Sequence, residues 1–213
     1  MREWKQREIK EVKFADFPEE LRRVRPEVKQ LFYRGKWEED LFKKAVGVVG
    51  SRRMTKYGQM VTKMMVQGLT EAGYTIVSGF MYGVDTAAHK TCLENKGRTV
   101  AVLGCGLDCL TPAENDGLYT KILESGGLVV SEFEPKQEAK LWTFPYRNRI
   151  VAGLSQLILV IEAGENIIHA GHQHRPVSNQ PIRPLRQTGR NHPRHCQHFL
   201  FLLKPPARRH QTA

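Results

Sequence analysis

Ala45-Val46-Gly47-Val48-Val49-Gly50-Ser51-Arg52 is the stretch that decides the fold. Small and β-branched apolar residues without a polar interruption read as a strand buried on both faces, and Gly50-Ser51 reads as the turn that ends it. From Tyr57 to Leu69 the apolar residues return at helical spacing, and Gly73 supplies a C-terminal stop. The alternation then repeats along the chain. Strands are expected at Tyr74-Thr75-Ile76-Val77, Thr99-Val100-Ala101-Val102-Leu103, Leu128-Val129-Val130 and Leu157-Ile158-Leu159-Val160-Ile161. Helices are expected over about Asp85 to Glu94, Asn115 to Glu124 and Arg149 to Gly153, the first opened by an acceptor side chain suited to a cap. Short apolar strands separated by helix-length segments give an α/β fold: a Rossmann-like parallel sheet with helices on both faces. In such sheets the binding crevice lies at the carboxyl ends of the strands. That rule gathers Gly50-Ser51-Arg52, Ser78-Gly79, Gly104-Cys105-Gly106 and Ser131-Glu132 along one edge.

Outward from this domain, which spans residues 45 to 163, the chain changes character. Residues 1 to 44 read as a short leader, charged and frayed over its first 12 residues, then a small helical or irregular cap packed on the domain edge. With 213 residues and 40% apolar content, the chain can bury one substantial core and a small appendage. No apolar run approaches the roughly 18 residues of a membrane span. No apolar stretch follows Met1-Arg2-Glu3-Trp4-Lys5, so a secretory signal is not expected. Cys92, Cys105, Cys109 and Cys196 form neither a C-x-x-C pair nor a zinc spacing, which suits spare thiols in a reducing cytoplasm. The net charge is +11, yet +8 of it lies beyond Glu165, where no carboxylate occurs. A nucleic-acid argument therefore has to rest on particular residues of the domain and not on bulk charge.

Three segments carry chemistry. Gly50-Ser51-Arg52-Arg53 ends a strand and leads into a helix, so backbone amides, the Ser51 hydroxyl and an arginine could together hold a phosphate. A tight turn with solvent-facing arginines is the competing reading, and the glycine patterns of dinucleotide or nucleoside-triphosphate loops are absent. Ser78-Gly79-Phe80-Met81-Tyr82-Gly83-Val84-Asp85 is a second glycine-bearing loop. There Ser78 offers another hydroxyl, Asp85 reads as a helix cap, and His89, four residues on, reads as a structural hydrogen-bonding residue. Asp85 and His89 lack the third ligand of a metal site, so no metal is expected. Phe144-Pro145-Tyr146-Arg147-Asn148-Arg149 sets aromatics beside two arginines and an amide, the elements of single-strand binding. Arginines in surface salt bridges are an equally good reading of those residues alone.

Taken in order, these segments resemble the DNA-processing protein A, or Smf, family. The resemblance runs through Leu31-Phe32-Tyr33-Arg34-Gly35, Val48-Val49-Gly50-Ser51-Arg52 with Thr55, Tyr57 and Gly58, and Val77-Ser78-Gly79 with Gly83, Asp85 and Ala88-His89. It continues through Ala101 to Asp108, Pro112 with Asn115, Ser131-Glu132-Phe133, Phe144 to Ser155 and Val160-x-Glu162-Ala163, and so covers residues 14 to 163. It implies a cytoplasmic, non-enzymatic protein without a cofactor that binds single-stranded DNA, protects incoming strands in natural transformation and helps load the RecA recombinase. It also implies dimerisation, which the departure of the C-terminal part puts in doubt. Carried onto this chain, the phosphate-binding residues are Gly50, Ser51, Arg52, Ser78, Gly79, Arg147, Asn148 and Arg149. The family usually has Arg where this chain has Tyr82, which removes a donor but offers a ring for stacking.

The resemblance stops at Gly164. From there the chain holds seven of its eight histidines and six of its eleven prolines, and only Phe199 to Leu203 looks apolar enough to pack. The family's next helix and Val-Pro-Gly strand end are missing, so residues 164 to 213 read as disordered or as a frameshifted continuation. A natural basic DNA-binding arm and a histidine-rich metal-binding tail are the alternatives. Two other functions stay open: a Rossmann-like enzyme of the nucleotide phosphoribohydrolase kind, using Glu132 or Glu162 at a strand end, and an inactive, truncated relative.

Overall fold

The structure is a computed structural model and describes residues 2–162 and 200–203. Its strands are β1 (Lys10–Val12), β2 (Leu31–Gly35), β3 (Ala45–Gly50), β4 (Thr75–Ser78), β5 (Thr99–Val102), β6 (Leu128–Ser131), β7 (Leu157–Ile161) and β8 (Leu200–Leu203). Its helices are α1 (Glu19–Arg22), α2 (Asp40–Lys43), α3 (Lys56–Glu71), α4 (Val84–Glu94), α5 (Asp116–Glu124) and α6 (Thr143–Gly153). One sheet holds all eight strands in the order β1-β2-β6-β5-β4-β3-β7-β8.

The five strands read from the apolar runs are the parallel centre. β3 pairs with β4 at Val46↔Ile76 and with β7 at Val48↔Leu159, while β5 joins β4 to β6. Chain order reverses at β3, whose neighbours are the next strand and the last parallel one, so the topological switch point lies between the ends of β3 and β7. Alternation along each strand sends side chains to two cores. Val46, Val48 and Ile76 pack under α3 and α4, while Ala101 and Val129 pack under α5. Val77, Val100, Val102, Leu128 and Val130 face the opposite way, against the leader and Ile150, Val151 and Leu154. That double burial explains why β4, β5 and β6 read as unbroken apolar runs.

The leader is different from the expected frayed segment and irregular cap. β2 pairs antiparallel with β6, with Phe32 opposite Ser131, and β1 adds outside it, so the sheet is mixed and not wholly parallel. The chain's start is buried as well. Trp4 is fully enclosed, stacks on Tyr119 at 4.4 Å between ring centroids, and donates to Asp116 over 2.8 Å. Arg34 locks the same corner from inside, donating to the Arg7 carbonyl at 2.9 Å, the Leu107 carbonyl at 2.6 Å and Asp108 at 2.8 Å, with its guanidinium 5.3 Å from the Trp4 ring. Charged residues mask this anchor in the sequence, because a lone Trp among them carries no periodic signal.

Helix α6 begins six residues earlier than its sequence suggests. Pro145 is its third residue, where the missing N–H would have had no partner inside the helix. The early start puts Phe144, Arg147, Ile150 and Leu154 on one side of the helix, spaced to face the sheet. Beyond α6 and β7, β8 pairs antiparallel with β7, with Leu200 opposite Val160. The readings of the rest of the tail, its basic and histidine-rich stretch and Cys196 among them, lie outside the described residues. Among the described residues no helix is long and apolar enough to cross a membrane.

Replacing Trp4 by Ala removes a large buried ring and its stacking partner's contact. The expected outcome is a loss of about 3–5 kcal/mol in unfolding free energy by urea titration, with Trp4→Phe losing markedly less. A Trp4→Ala protein as stable as the parent would show that the leader is not anchored there.

Candidate nucleic-acid interface

The turn after β3 sits at the switch point. Ser51 donates its amide to the Ile161 carbonyl at 3.2 Å, and its carbonyl accepts from the Val84 N–H at 3.1 Å. Its hydroxyl accepts from the Arg53 amide at 3.1 Å, which tightens the turn. Arg52 and Arg53 project into solvent from it. The Arg52 guanidinium lies 5.0 Å from the Phe144 ring of α6, so an exposed cation is held on an aromatic face. Here the sequence expectation of a turn that presents an arginine agrees with the geometry.

The start of α3 does not offer the open anion site that free amides would give. Thr55 caps the helix by accepting from the Gly58 N–H at 3.1 Å. The Glu162 carboxylate accepts from the Thr55 N–H at 2.8 Å and from the Thr55 hydroxyl. Glu162 adopts φ +51 to reach this position, a left-handed conformation rare for a side-chain-bearing residue. The place where such folds put a ligand phosphate is thus filled by a carboxylate of the chain itself. Nothing in the strand pattern signalled this, because Glu162 lies 107 residues along the chain from the Thr55 it meets.

The second loop is built around a buried ion pair. Arg147 is 3% exposed and its Nη2 lies 3.7 Å from Asp85 Oδ2. Asp85 accepts from the Met81 N–H at 3.2 Å, so it braces the loop and is not the N-cap residue of α4, which is Gly83. Burial pushes the Asp85 carboxyl up, and the Arg147 guanidinium pulls it back. Arg147 Nε and Nη1 find no hydrogen-bond partner among the described residues. A Cβ at position 79 would meet Nη1 at 1.8 Å, so Gly79 is the residue that lets the guanidinium lie against the loop backbone. The Ser78 hydroxyl is fully buried and donates to the Val48 carbonyl at 2.6 Å.

The remaining expected residues are spread out. Arg149 clasps Glu132 with both guanidinium ends, at 2.6 and 2.5 Å, and covers the Tyr146 ring at 3.8 Å. Asn148 points to solvent from the same helix. Tyr82 is half-exposed and donates its hydroxyl to Glu114 at 2.8 Å. His89 is fully buried, with Nδ1 2.7 Å from the Thr99 hydroxyl. Because that hydroxyl donates to the Ile76 carbonyl at 2.7 Å, Nδ1 carries the proton. The geometry therefore gathers Gly50, Ser51, Arg52, Ser78, Gly79, Asp85 and Arg147 and sets Arg149 apart, against Glu132. The apolar stripe Phe144, Arg147, Ile150, Leu154 was the signal that Arg147 faces inward.

Beside Phe144 a groove of about 670 Å³ runs past Cys109, Leu110, Glu138, Lys140 and Leu141. At its rim Leu141 is 89% and Trp142 52% exposed, and Trp142 packs edge-on against Phe133 and Tyr146. The sequence pairing set aromatics beside Arg147 and Arg149, with salt bridges as the equal alternative; both arginines meet carboxylates here, and the cation held on Phe144 is Arg52. Among the described residues no group of three or more His, Cys, Asp or Glu is placed to hold a metal ion.

Burial holds His89 down to about 3, against 6.5 in an open chain. The unfolded chain therefore takes up a proton below pH 6.5 that the folded one refuses until about 3, and stability declines across that window as pH falls. In His89→Asn the slope of stability against pH between 6 and 4 should flatten by about 1.4 kcal/mol per pH unit. An unchanged slope would mean that His89 is accessible to protons in the folded state.

Comparison with known proteins agrees with this fold. Residues 10–190 match the family described as DNA recombination-mediator protein A, a span that extends past Gly164. The chain is 46% identical over 118 residues to protein Smf of Synechocystis, covering 55% of this chain and 29% of that one. It is 44% identical over 133 residues to DNA processing protein DprA of Streptococcus pneumoniae, covering 62% and 46%. The chain thus spans less than half the length of these relatives. The X-ray structure of the S. pneumoniae protein superimposes with a TM-score of 0.68 at 36% identity, over 77% of this chain and 61% of that one. DNA processing protein A from Helicobacter pylori, described for its single-stranded DNA binding mode, gives 0.68 at 25% identity over 78% and 75%.

Proposed function

The chain belongs to the DNA recombination-mediator protein A family, and from that premise we propose that it binds single-stranded DNA along the lip of the β3–β4 loops and the groove beside α6. The observation that carries this reading is Arg52, exposed just past the end of β3 with its guanidinium on the Phe144 ring, while the half-exposed Tyr82 precedes the Gly83 that abuts the Ser51-Arg52 backbone. A guanidinium holds a phosphate by charge and fork geometry, and a neighbouring ring accepts a base by stacking, whatever its sequence. Phosphate contacts of this kind give affinity without reading bases. Gly50 and Ser51 set the turn that aims Arg52, and Asn148 and Lys140 lie exposed on the α6 side. The finer role follows the family: protection of incoming strands during natural transformation and delivery to the RecA recombinase, in the cytoplasm and with a second copy as partner.

No enzymatic step enters this reading. The two carboxylates that could have served a nucleotide hydrolase are both engaged, Glu132 by Arg149 and Glu162 by Thr55. A general acid or base must reach its substrate's proton, and neither is turned toward the groove's free volume in its present bonds.

Fluorescence anisotropy with labelled single- and double-stranded oligonucleotides tests the proposal. Single strands should be preferred, and log affinity should fall linearly with log salt. Arg52→Ala should weaken binding by about tenfold to a hundredfold, the worth of one charged hydrogen bond. Equal binding of wild type and Arg52→Ala would overturn the site. Tyr82→Phe should bind as the parent does, whereas Tyr82→Ala should lose about 1–3 kcal/mol, the usual worth of one stacked base. An unchanged affinity in folded Tyr82→Ala removes that ring from the path.

A further inference from the structure

We infer that Arg147 is a positioning residue for the DNA-binding turn and not a phosphate ligand: through Asp85 and Gly79 it holds the β4–α4 loop, and that loop holds Ser51 and Arg52. The inference rests on the proposed DNA-binding reading and gives Arg147 a different task from the phosphate contact that the family resemblance implies for it.

Four contacts make the chain of support. Arg147, on α6, lies 3.7 Å from Asp85 and is 3% exposed, so no phosphate can reach its guanidinium without displacing the loop above it. Its Nη1 occupies the space a side chain at position 79 would need, which presses the group against the loop's first turn. Asp85 passes the constraint on by accepting from the Met81 N–H at 3.2 Å. The loop then ends at Gly83, with φ +73, where an added Cβ would meet the Ser51 carbonyl at 2.1 Å, and the next amide, of Val84, donates to that carbonyl at 3.1 Å. The turn carrying Arg52 therefore rests directly on a loop whose shape is set by a buried charge pair from two other elements. A second path runs through α6 itself, since Phe144, one helical turn before Arg147, carries the Arg52 guanidinium on its ring.

Two Arg147 donors, Nε and Nη1, have no partner among the described residues, and the arrangement gives a reason to bury them. A buried donor without a partner is costly, and a methionine or leucine would fill the same space without that cost. What an apolar residue cannot do is fix the Asp85 carboxylate, and with it the Met81 amide. Specificity of loop conformation is the gain that offsets the burial of the charge.

The two roles for Arg147 predict opposite signs in one variant. If Arg147 were a phosphate ligand, Asp85→Asn would remove a competing negative charge and leave DNA binding equal or tighter. As a positioning residue, Arg147 loses its hold when Asp85 is neutralised, and single-strand affinity should fall on the order of tenfold. Salt dependence separates the roles again. Loss of a phosphate contact lowers the slope of log affinity against log salt by about 0.7 for single strands. Arg52→Ala should show that drop, whereas Asp85→Asn and Arg147→Lys should weaken binding at an unchanged slope.

Amide hydrogen exchange on the free protein reads the same network without DNA. In Asp85→Asn and Arg147→Lys, the amides of Val84 and Arg53 should lose protection while those of β5 keep theirs. Gly79→Ala keeps every charge and displaces the guanidinium, so it should reproduce the pattern even where Arg147→Lys does not fold. Normal exchange at Val84 and Arg53 in Asp85→Asn and Gly79→Ala would overturn the inference, as would tighter DNA binding by Asp85→Asn. Altered exchange in a protein that binds no DNA, wild type included, would uphold the positioning network and reject the functional reading on which its purpose rests.

Discussion

A parallel sheet has to be covered on both faces, and the rest of this molecule is arranged around that requirement. The crossovers put α3, α4 and α5 on one side. They leave the other side to α6 and to the leader, whose Phe17, Leu21, Val24 and Val28 complete the second core. Short as it is, the leader is thus half of a roof. Its strand β2 also closes the β6 edge, where unpaired backbone groups would otherwise invite another chain.

The same crossovers gather loops at one edge, and there the fold departs from a nucleotide-binding site in its choice of charges. Glu162 meets the start of α3, Asp85 meets Arg147, and Glu132 meets Arg149. Each pair consumes a group that a small anionic ligand would have used. What stays outward is Arg52 on the Phe144 ring, and a groove lined by both apolar and charged residues, among them Leu110, Leu141, Glu138 and Lys140. That is an open surface, and a poor enclosure for a mononucleotide.

How much of this was legible in the sequence depends on the distance over which each signal acts. The central strands were legible because double burial forces unbroken apolar runs such as Thr99 to Val102. The Gly50-Ser51-Arg52 turn was legible because glycine and serine after a strand have a local meaning. The partners of Arg147 and Arg149 were not, since Asp85 and Glu132 lie on other elements and a list of residues does not say which charges meet. β1 and β2 escaped for a related reason: Lys10 to Val12 has no apolar alternation to show, and Leu31 to Gly35 follows a stretch broken by Pro26. Trp4 was hidden among charges, although a tryptophan is seldom left in water without cause.

The pairing of β2 with β6 has a consequence for the chain's life before it is folded. Phe32 meets Ser131, so the leader leaves the ribosome long before its partner strand exists. At ordinary rates of synthesis that interval is on the order of ten seconds, during which Leu31, Phe32 and the Trp4 ring have no sheet to cover them. The charges set among them, Lys5, Arg7, Glu8, Lys10 and Glu11, stay outside the finished core, apart from Lys5 over the Trp4 ring. They suit the waiting chain, because charged residues flanking an apolar strand keep it from seeking another strand of its own kind. The composition that makes the leader look unstructured is then what lets it reach, uncombined, the edge it was made to close.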